Sequence, residues 1–440
     1  MSRHSALPKD PVIATIQDLT HEGYGVAKVE GKTVFIAGVL PGEEVEFQYR
    51  ARKRNYDEGK LLRIIQTSAD RIEPRCPHFA VCGGCNLQHL SPEKQLEFKQ
   101  KMMLDNLTRL GHVTPLSVAA PVSGSPWGYR RKARLGVKYV SKKEKMLIGF
   151  RERDSHFLAD LSRCEILAPE VGLQLTTLST LLRSLSCYQQ IPQVEVAVGD
   201  NATALVIRHM QPLTEQDTTR LTEFAQQHGY HIYLQPKGLS SIAPLWPKDS
   251  TLSYRVDNNS IELIFAPTDF VQVNRFVNLA MIDKVVTALS LDSAAQVLEL
   301  FSGLGNFTLP IAKRAGRVVA VEGERSLVQR AQDNATHNQI TNVQHYVSDL
   351  TKDVSIFPWF NEKYDRIFLD PPRSGAAELM PLLGAKKSER IVYVSCNSAT
   401  LARDADILVN QFHYQLSEVA ALDMFPHTAH VEVLAVFDRG

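Results

Sequence analysis

The sequence predicts an α/β protein: a doubly wound parallel sheet at the C-terminal end, preceded by an OB-like β-barrel and an α+β middle region. Three observations carry this. At 440 residues and 49.2 kDa the chain exceeds one ordinary domain, since a domain takes roughly 100–200 residues. From about residue 275 strand and helix patterns alternate, as they do where crossover helices join parallel strands. The first 70 residues instead give short apolar or alternating runs broken by glycine turns. With 44% hydrophobic and 22% charged residues the chain can build full cores, which excludes wholesale disorder.

The N-terminal runs are 12–16, 33–36, 44–47 and 61–65, separated by His21 to Gly25, by Gly31 and by Pro41-Gly42. These four runs, as part of a five-stranded plan, suit a small OB-like barrel, a common nucleic-acid platform. Arg50, Arg52, Lys53 and Arg54 interleave with Tyr56 on one hairpin. A helix is expected over 91–110: Ser91 can cap it, Pro92 fits its first position, and Leu96, Met103, Leu107 and Leu110 recur at helical spacing before Gly111. Residues 113–265 mix strands and helices. The alternating part then reads helix 275–289, strand 296–301, helix 306–315, strand 317–322, helix 325–337, strands 343–347 and 365–370, helix 376–384, strand 390–395 and helix 399–409. Strands 412–420 and 430–437 close it.

The net charge of +1 hides an asymmetry. Residues 1–165 hold 27 Lys and Arg against 19 Asp and Glu, and the remainder holds 22 against 29. A basic part followed by an acidic part suggests that one grips a polyanion while the other does chemistry. No apolar run approaches the roughly 20 residues a membrane helix needs. Met1 to Asp10 is polar, without a secretory h-region, so the cytoplasm is the expected location.

The stretch from Val297 to Thr308 is a strand, a glycine turn and a helix start. Glycines there let backbone approach a ligand at the carboxyl edge of the sheet. A dinucleotide fingerprint would have a third glycine where Thr308 stands, which disfavours NAD. Glu322 ends the next strand, placed to accept ribose hydroxyls. With a later Asp370-Pro371-Pro372 this is the combination S-adenosylmethionine enzymes use. The following strand ends in Ser395-Cys396-Asn397, bringing a thiol to the same edge, where it can serve as a nucleophile. Carbon 5 of a pyrimidine becomes nucleophilic only after something adds to C6, and a thiolate is the usual adduct former. A base must then remove the C5 proton. Glu432, in His430-Val431-Glu432, is a candidate.

Three of the six cysteines fall within ten residues, Cys76, Cys82 and Cys85, with Cys164 much later. Four thiolates suit zinc or a [4Fe–4S] cluster. Structural zinc favours two close pairs, whereas three plus one is more typical of iron–sulfur. Cys187 has no partner pattern and reads as a core residue.

Taken together these motifs resemble, over essentially the whole chain, the RNA 5-methyluridine methyltransferases, and within them the 23S rRNA branch that carries a TRAM domain and acts at uridine 1939. The resemblance implies a class I S-adenosylmethionine methyltransferase fold with an N-terminal TRAM barrel over 1–70. It implies a central domain over 71–90 and 113–265, and a catalytic domain over 91–112 and 266–440. It implies [4Fe–4S] ligands Cys76, Cys82, Cys85 and Cys164, and S-adenosyl-L-methionine bound by Gln272, Phe301, Asn306, Glu322, Asp349 and Asp370. Cys396 would be the nucleophile and Glu432 the base. The basic run Tyr129 to Arg134 and Gly149-Phe150-Arg151 are similar to the family's RNA-facing central domain. The implied partner is 23S ribosomal RNA, met by a monomer away from any membrane, with another rRNA or tRNA uridine as the alternative target. Three positions depart from the family's habit: Ser398 where proline is common, Glu299-Leu300-Phe301-Ser302-Gly303 for Asp-Leu-Phe-Cys-Gly, and Asp349 where Asn is frequent.

Overall fold

The computed structural model describes residues 7, 8 and 10–440; residues 1–6 and 9, most of the stretch read as lacking an h-region, lie outside the described residues. The N-terminal runs pair into one six-stranded sheet: Val12–Thr15, Asp18–Leu19, Tyr24–Val29, Lys32–Ala37, Glu44–Arg52 and Tyr56–Gln66. Alternate side chains, among them Ala27, Val34, Ile36, Val45 and Phe47, fill its interior, as a period of two requires. Six strands form rather than five. Tyr24–Val29 escaped notice because its inward positions are Gly25 and Ala27, too small to register as an apolar run. Gly25 cannot be larger: a Cβ there would meet Val39 at 2.2 Å.

The middle region builds a mixed six-stranded sheet in the order Ala243–Trp246, Tyr230–Gln235, Thr203–Arg208, Gln193–Val198, Lys132–Val140, Lys145–Gly149. Helices Leu175–Ser184 and Glu215–His228 press Leu178, Leu182, Leu221 and Phe224 into its core, where Cys187 is also buried.

The C-terminal sheet has eight strands, ordered Val343–Val347, Arg317–Glu322, Gln296–Leu300, Arg366–Leu369, Arg390–Ser395, Glu432–Arg439, Tyr414–Leu422, Ser117–Val118. The first five are parallel, and Glu432–Arg439 slots in antiparallel. Both faces of its central strands are covered, so those strands are largely apolar: Val297 faces one core and Leu298 the other. The strand order reverses between Gln296–Leu300 and Arg366–Leu369, which opens a crevice at their carboxyl ends.

Helices Arg275–Leu289 and Arg325–His337 fall where expected. Two others are shorter: 306–315 is Thr308–Ala312, and 376–384 is Met380–Lys386. Pro371, Pro372 and the left-handed Gly375 (φ +75°) keep the segment before the latter irregular. The last two strands begin two residues late, the first of them because a π-turn, Ile407–Gln411, extends the preceding helix. Two outlying segments belong by packing to this sheet. The hairpin Leu252–Val256 and Ile261–Phe265 shares a core with Val297 and Phe307. Helix Pro92–Arg109, capped by the Ser91 hydroxyl, buries Met103 and Leu107 against Leu401 and Ala402. Gly111 permits that approach, since a Cβ there would lie 2.5 Å from the Ala402 carbonyl. Among the described residues no helix is long and apolar enough to cross a membrane.

Candidate active site

The glycine turn leaves the sheet at Phe301, which adopts the left-handed region at φ +63°, uncommon for a residue with a side chain. The turn is pinned by Glu322: one carboxylate oxygen accepts from the Gly303 N–H (3.1 Å) and the other from that of Glu324 (2.9 Å). Asp370 stands at the end of the neighbouring strand, and the buried Gln272 amide approaches it at 3.5 Å. The Asn306 side chain is taken up elsewhere. It exchanges two hydrogen bonds with Asn278 (2.9 and 3.0 Å) and accepts one from the Tyr254 hydroxyl (3.1 Å). Asp349 is exposed, and hydrogen bonds from the Thr351 hydroxyl and Lys352 hold its carboxyl down, at about 2.

Cys396 follows Ser395, the last residue of its strand. Ser395 pairs with Val433 on the antiparallel neighbour, so one residue further out Cys396 faces Glu432. The half-buried thiol opens onto a cleft of about 820 Å³ lined by Tyr24, Asn86, Phe150, Arg373 and His430. Barrel, cysteine segment and C-terminal sheet all contribute to it. Glu432 lies beneath the floor, 3% exposed.

The electrostatics of this corner are those of desolvated acids. Burial pushes the Glu432 carboxyl up, and the neighbouring Asp370 adds to the shift; burial raises Asp370 as well. Two carboxyls so close titrate as a pair and share protons near neutrality. Burial, then Glu432 and Asp370, push the Cys396 thiol up to about 11, while Arg373 pulls the other way. Beneath them Glu299, 1% exposed with both oxygens unpartnered, is raised by burial to about 8. The corner therefore holds more acid than it can ionise at once, and it favours a cation.

Cys76, Cys82, Cys85 and Cys164 line one small cavity closed by Phe150 and Leu161. The Gly84 N–H points at the Cys82 sulfur (3.4 Å), and the Gln88 side-chain oxygen accepts from the Cys76 N–H (3.1 Å). Among the described residues no three His, Cys, Asp or Glu side chains converge to hold one metal ion. Four thiols lining one space are a soft donor set. Main-chain bonds tie this segment to the central sheet: Gly83 N–H to Arg151 O (2.9 Å) and Arg153 N–H to Val81 O (2.8 Å).

The basic run read as RNA-facing is partly turned inward. Arg131 is 5% exposed and paired with Asp200 (2.6 Å), and Lys132 is covered, bonded to Glu195 and the Pro267 carbonyl. Arg134 stays at the surface. Sequence reasoning also missed a polar stripe on helix Pro92–Arg109, whose buried residues are Gln95, Lys99, Met103 and Leu107. Leu96 is only half-buried and Leu110 is exposed. The spacing of four was there to be read, but two of its members are polar. Ser398, at a departure from the family pattern, receives a hydrogen bond from Asn106 of that helix (2.8 Å).

The profile of the tRNA (Uracil-5-)-methyltransferase family matches residues 249–439, and that of the TRAM domain residues 12–62. The chain is 48% identical over 436 residues to the 23S rRNA (uracil(1939)-C(5))-methyltransferase RlmD of Xanthomonas axonopodis pv. citri, covering 98% of each. It is 49% identical over 439 residues to the RlmD of Nitrosococcus oceani, covering 99% of this chain and 98% of that one. Among solved structures, the Pyrococcus abyssi tRNA (uracil-54, C5)-methyltransferase in complex with S-adenosyl-L-homocysteine matches with a TM-score of 0.75 at 23% identity. That match spans 97% of this chain and 100% of the other, and it shows the fold: a methyltransferase sheet behind an N-terminal TRAM barrel.

Proposed function

The chain belongs to the RNA (uracil-C5)-methyltransferase family, and we propose that it methylates C5 of uridine 1939 in 23S ribosomal RNA through a covalent adduct on Cys396. The observation that carries the reading is the meeting of Cys396 and Glu432 across one pair of strand ends, with the thiol open to the cleft and the carboxyl buried below it. RNA would enter between barrel, central sheet and C-terminal sheet, with the target base turned out of its stack to reach the thiol. The protein would act as a monomer in the cytoplasm, where that RNA is made.

S-adenosylmethionine, when bound, supplies a methyl group activated by a sulfonium charge. Gln272, Phe301, Asn306, Glu322, Asp349 and Asp370 surround its place at the strand ends. Glu322 is positioned for the ribose, and Asn306 acts by fixing the turn, since its amide is spent on Asn278. Cys396 gives up its proton to solvent and adds as thiolate to C6, which moves the C5=C6 pair into an enolate. C5 then forms its bond to the methyl carbon as the carbon–sulfur bond breaks and the sulfur keeps the electron pair. Glu432, as carboxylate, takes the C5 proton. The C5–H pair restores the double bond, and Cys396 leaves C6 as thiolate. A base with a raised proton affinity suits that step, because the ideal catalytic pKa lies near working pH.

Cys76, Cys82, Cys85 and Cys164 would hold a [4Fe–4S] cluster, supported by the four thiols that line one cavity. The cluster would cross-link residues 76–85 to 164; no step of methyl transfer passes through it. Anaerobically purified protein should contain iron and acid-labile sulfide in equal amounts, with a visible absorption that Cys164→Ser removes.

The test of the function is to mix the protein, S-adenosylmethionine and a 23S rRNA fragment carrying 5-fluorouridine. Fluorine at C5 cannot leave as a proton, so a denaturing gel should show a trapped adduct. Mass spectrometry should place it on Cys396 and on uridine 1939. An adduct at another uridine would move the substrate to another site or RNA. No adduct, with cofactor bound and RNA intact, would overturn the covalent reading.

A further inference from the structure

The loop 423–431, which leads from one strand to Glu432, is held in place from outside the C-terminal sheet. The buried Lys99 ammonium (0% exposed) donates to an Asp423 oxygen (2.5 Å) and to the Phe425 carbonyl (3.0 Å). The Tyr129 hydroxyl donates to Pro426 O (3.0 Å). His427 sits in the left-handed region (φ +66°), its ring stacked on Trp127 at 3.9 Å. Its N–H donates to the Gln95 side-chain oxygen (2.8 Å), and its carbonyl accepts from the N–H groups of Asn86 and Leu87 (2.9 and 3.0 Å). The Gln95 amide nitrogen closes the circuit by donating to Leu87 O (3.0 Å) and Leu90 O (2.7 Å). Finally the Ala429 N–H donates to the Asn86 side-chain oxygen (3.1 Å), while the Asn86 amide donates to Glu22 O on the barrel (2.5 Å).

Two residues separate Ala429 from Glu432. We propose that Gln95 and Asn86 are positioning residues for the base: by holding the main chain of His427 and Ala429 they fix where the Glu432 carboxyl stands relative to C5 of the adduct. Neither bonds to the segment that carries the nucleophile, where Asn397 and Thr400 bond to Ser395 and Arg373. This rests on the proposed role of Glu432. It adds that the base is presented by the segment beside Cys85 and by a helix that precedes the catalytic sheet in the chain. A misplacement of about 1 Å in such a group can cost a hundredfold in rate, so the step that fails should be proton removal and not methyl transfer.

The experiment is rapid-quench single turnover with methyl-labelled S-adenosylmethionine and a 23S rRNA fragment, with denaturing gels that separate labelled protein–RNA adduct from free labelled RNA. Gln95→Met and Asn86→Ala should form labelled adduct within about twofold of the wild-type rate and resolve it roughly ten- to a hundredfold more slowly. The dependence on RNA concentration should stay within twofold. Asn86→Asp keeps an oxygen facing the Ala429 N–H and should restore resolution. Equal slowing of both steps, a change confined to RNA concentration dependence, or no change in either variant would overturn the proposal. Should Gln95→Met not fold by circular dichroism, the Asn86 pair decides alone. Glu432→Gln is the reference. If it accumulates labelled adduct and the positioning variants do not, positioning is wrong. If it accumulates none, the base assignment fails and takes this inference with it.

Discussion

Cys396 and Glu432 face each other at the ends of adjacent strands, but the chain holds them by different means. On the nucleophile side most of the bonds are local, with one long-range addition from the Asn106 amide to the Ser398 hydroxyl (2.8 Å). The Asn397 N–H donates to the Ser395 hydroxyl (3.2 Å), the Asn397 amide to Arg373 O (3.1 Å), and the Thr400 hydroxyl to the same carbonyl (3.2 Å). On the base side the partners come from Asn86, Gln95, Lys99 and Tyr129, more than 290 residues away in sequence. A group fixed by its own strand end can be changed without disturbing its frame, whereas one presented by a borrowed scaffold shares its fate. Four substitutions test how far that contrast goes.

The largest effect belongs to the self-contained side. Cys396→Ala should remove adduct and turnover together, by roughly a thousandfold or more, because loss of a nucleophile disables every step that depends on it. Stability should hardly change, as the thiol is half-buried and makes no hydrogen bond that supports the strand end. Methyl incorporation and thermal melting measured on one sample check both halves. A large fall in melting temperature would show that the nucleophile side is not self-contained.

Lys99→Met attacks the borrowed scaffold. It strands the Asp423 carboxylate, 6% exposed, without its ammonium. Removing one partner of a buried pair costs about 3–5 kcal/mol. Urea denaturation should show that loss, and Lys99→Met combined with Asp423→Leu should recover much of it, since two apolar groups leave no uncompensated charge. A cost under about 1 kcal/mol for the single variant would mean that the loop supports itself.

The same contrast explains what the sequence made legible. Strand ends that carry chemistry announce themselves: the alternating pattern located Gln296–Leu300, Arg317–Glu322 and Arg390–Ser395 to within a residue. The thiol and the acids follow at once in the chain. The thiol cavity was legible because cysteines are rare and reactive, and the four do line one space. The scaffold of the base was not, because Gln95 and Lys99 are polar residues on a buried stripe. Only long-range partners, His427 and Asp423, give them a reason to be inside. Arg131 and Lys132 failed in the opposite sense. A basic run looks like a surface, and only Asp200 and Glu195, in other segments, account for the burial of these two members.

Glu299 probes a third arrangement, an acid under the site with no cation to pair with and only the Thr308 hydroxyl beside it. Its folded pKa, about 8, lies above the ordinary 4.5. The folded state thus binds this proton more tightly than the unfolded chain does. The stability it contributes is full below about pH 4.5 and is lost as pH rises through 8. Glu299→Gln cannot ionise, so its melting temperature should match or fall slightly below wild type at pH 5 and exceed it at pH 9, a stability difference of about a few kcal/mol at most. Equal melting at both values would mean that the carboxyl finds a partner in solution. The pH above which the difference stops growing, followed by calorimetry without cofactor, would locate its titration.

The smallest effect should come from the polar rim where the barrel meets the central sheet. Asp154 accepts from Arg50 (2.7 Å) and from the Tyr24 hydroxyl (3.2 Å), but Arg50 is 53% exposed and Asp154 32%. Exposed pairs contribute about 0–1 kcal/mol and weaken with salt. The barrel is seated instead by Leu19 and Leu40 against Leu87, Leu90 and Ala429, a dry patch that includes the loop leading to the base. Asp154→Ala should therefore cost less than about 1 kcal/mol by urea denaturation, with adduct resolution unchanged and the difference from wild type vanishing at high salt. If it slowed resolution as Asn86→Ala is expected to, the barrel's hold on the base would run through its rim, and the division between a local nucleophile and a scaffolded base would have to include surface charge.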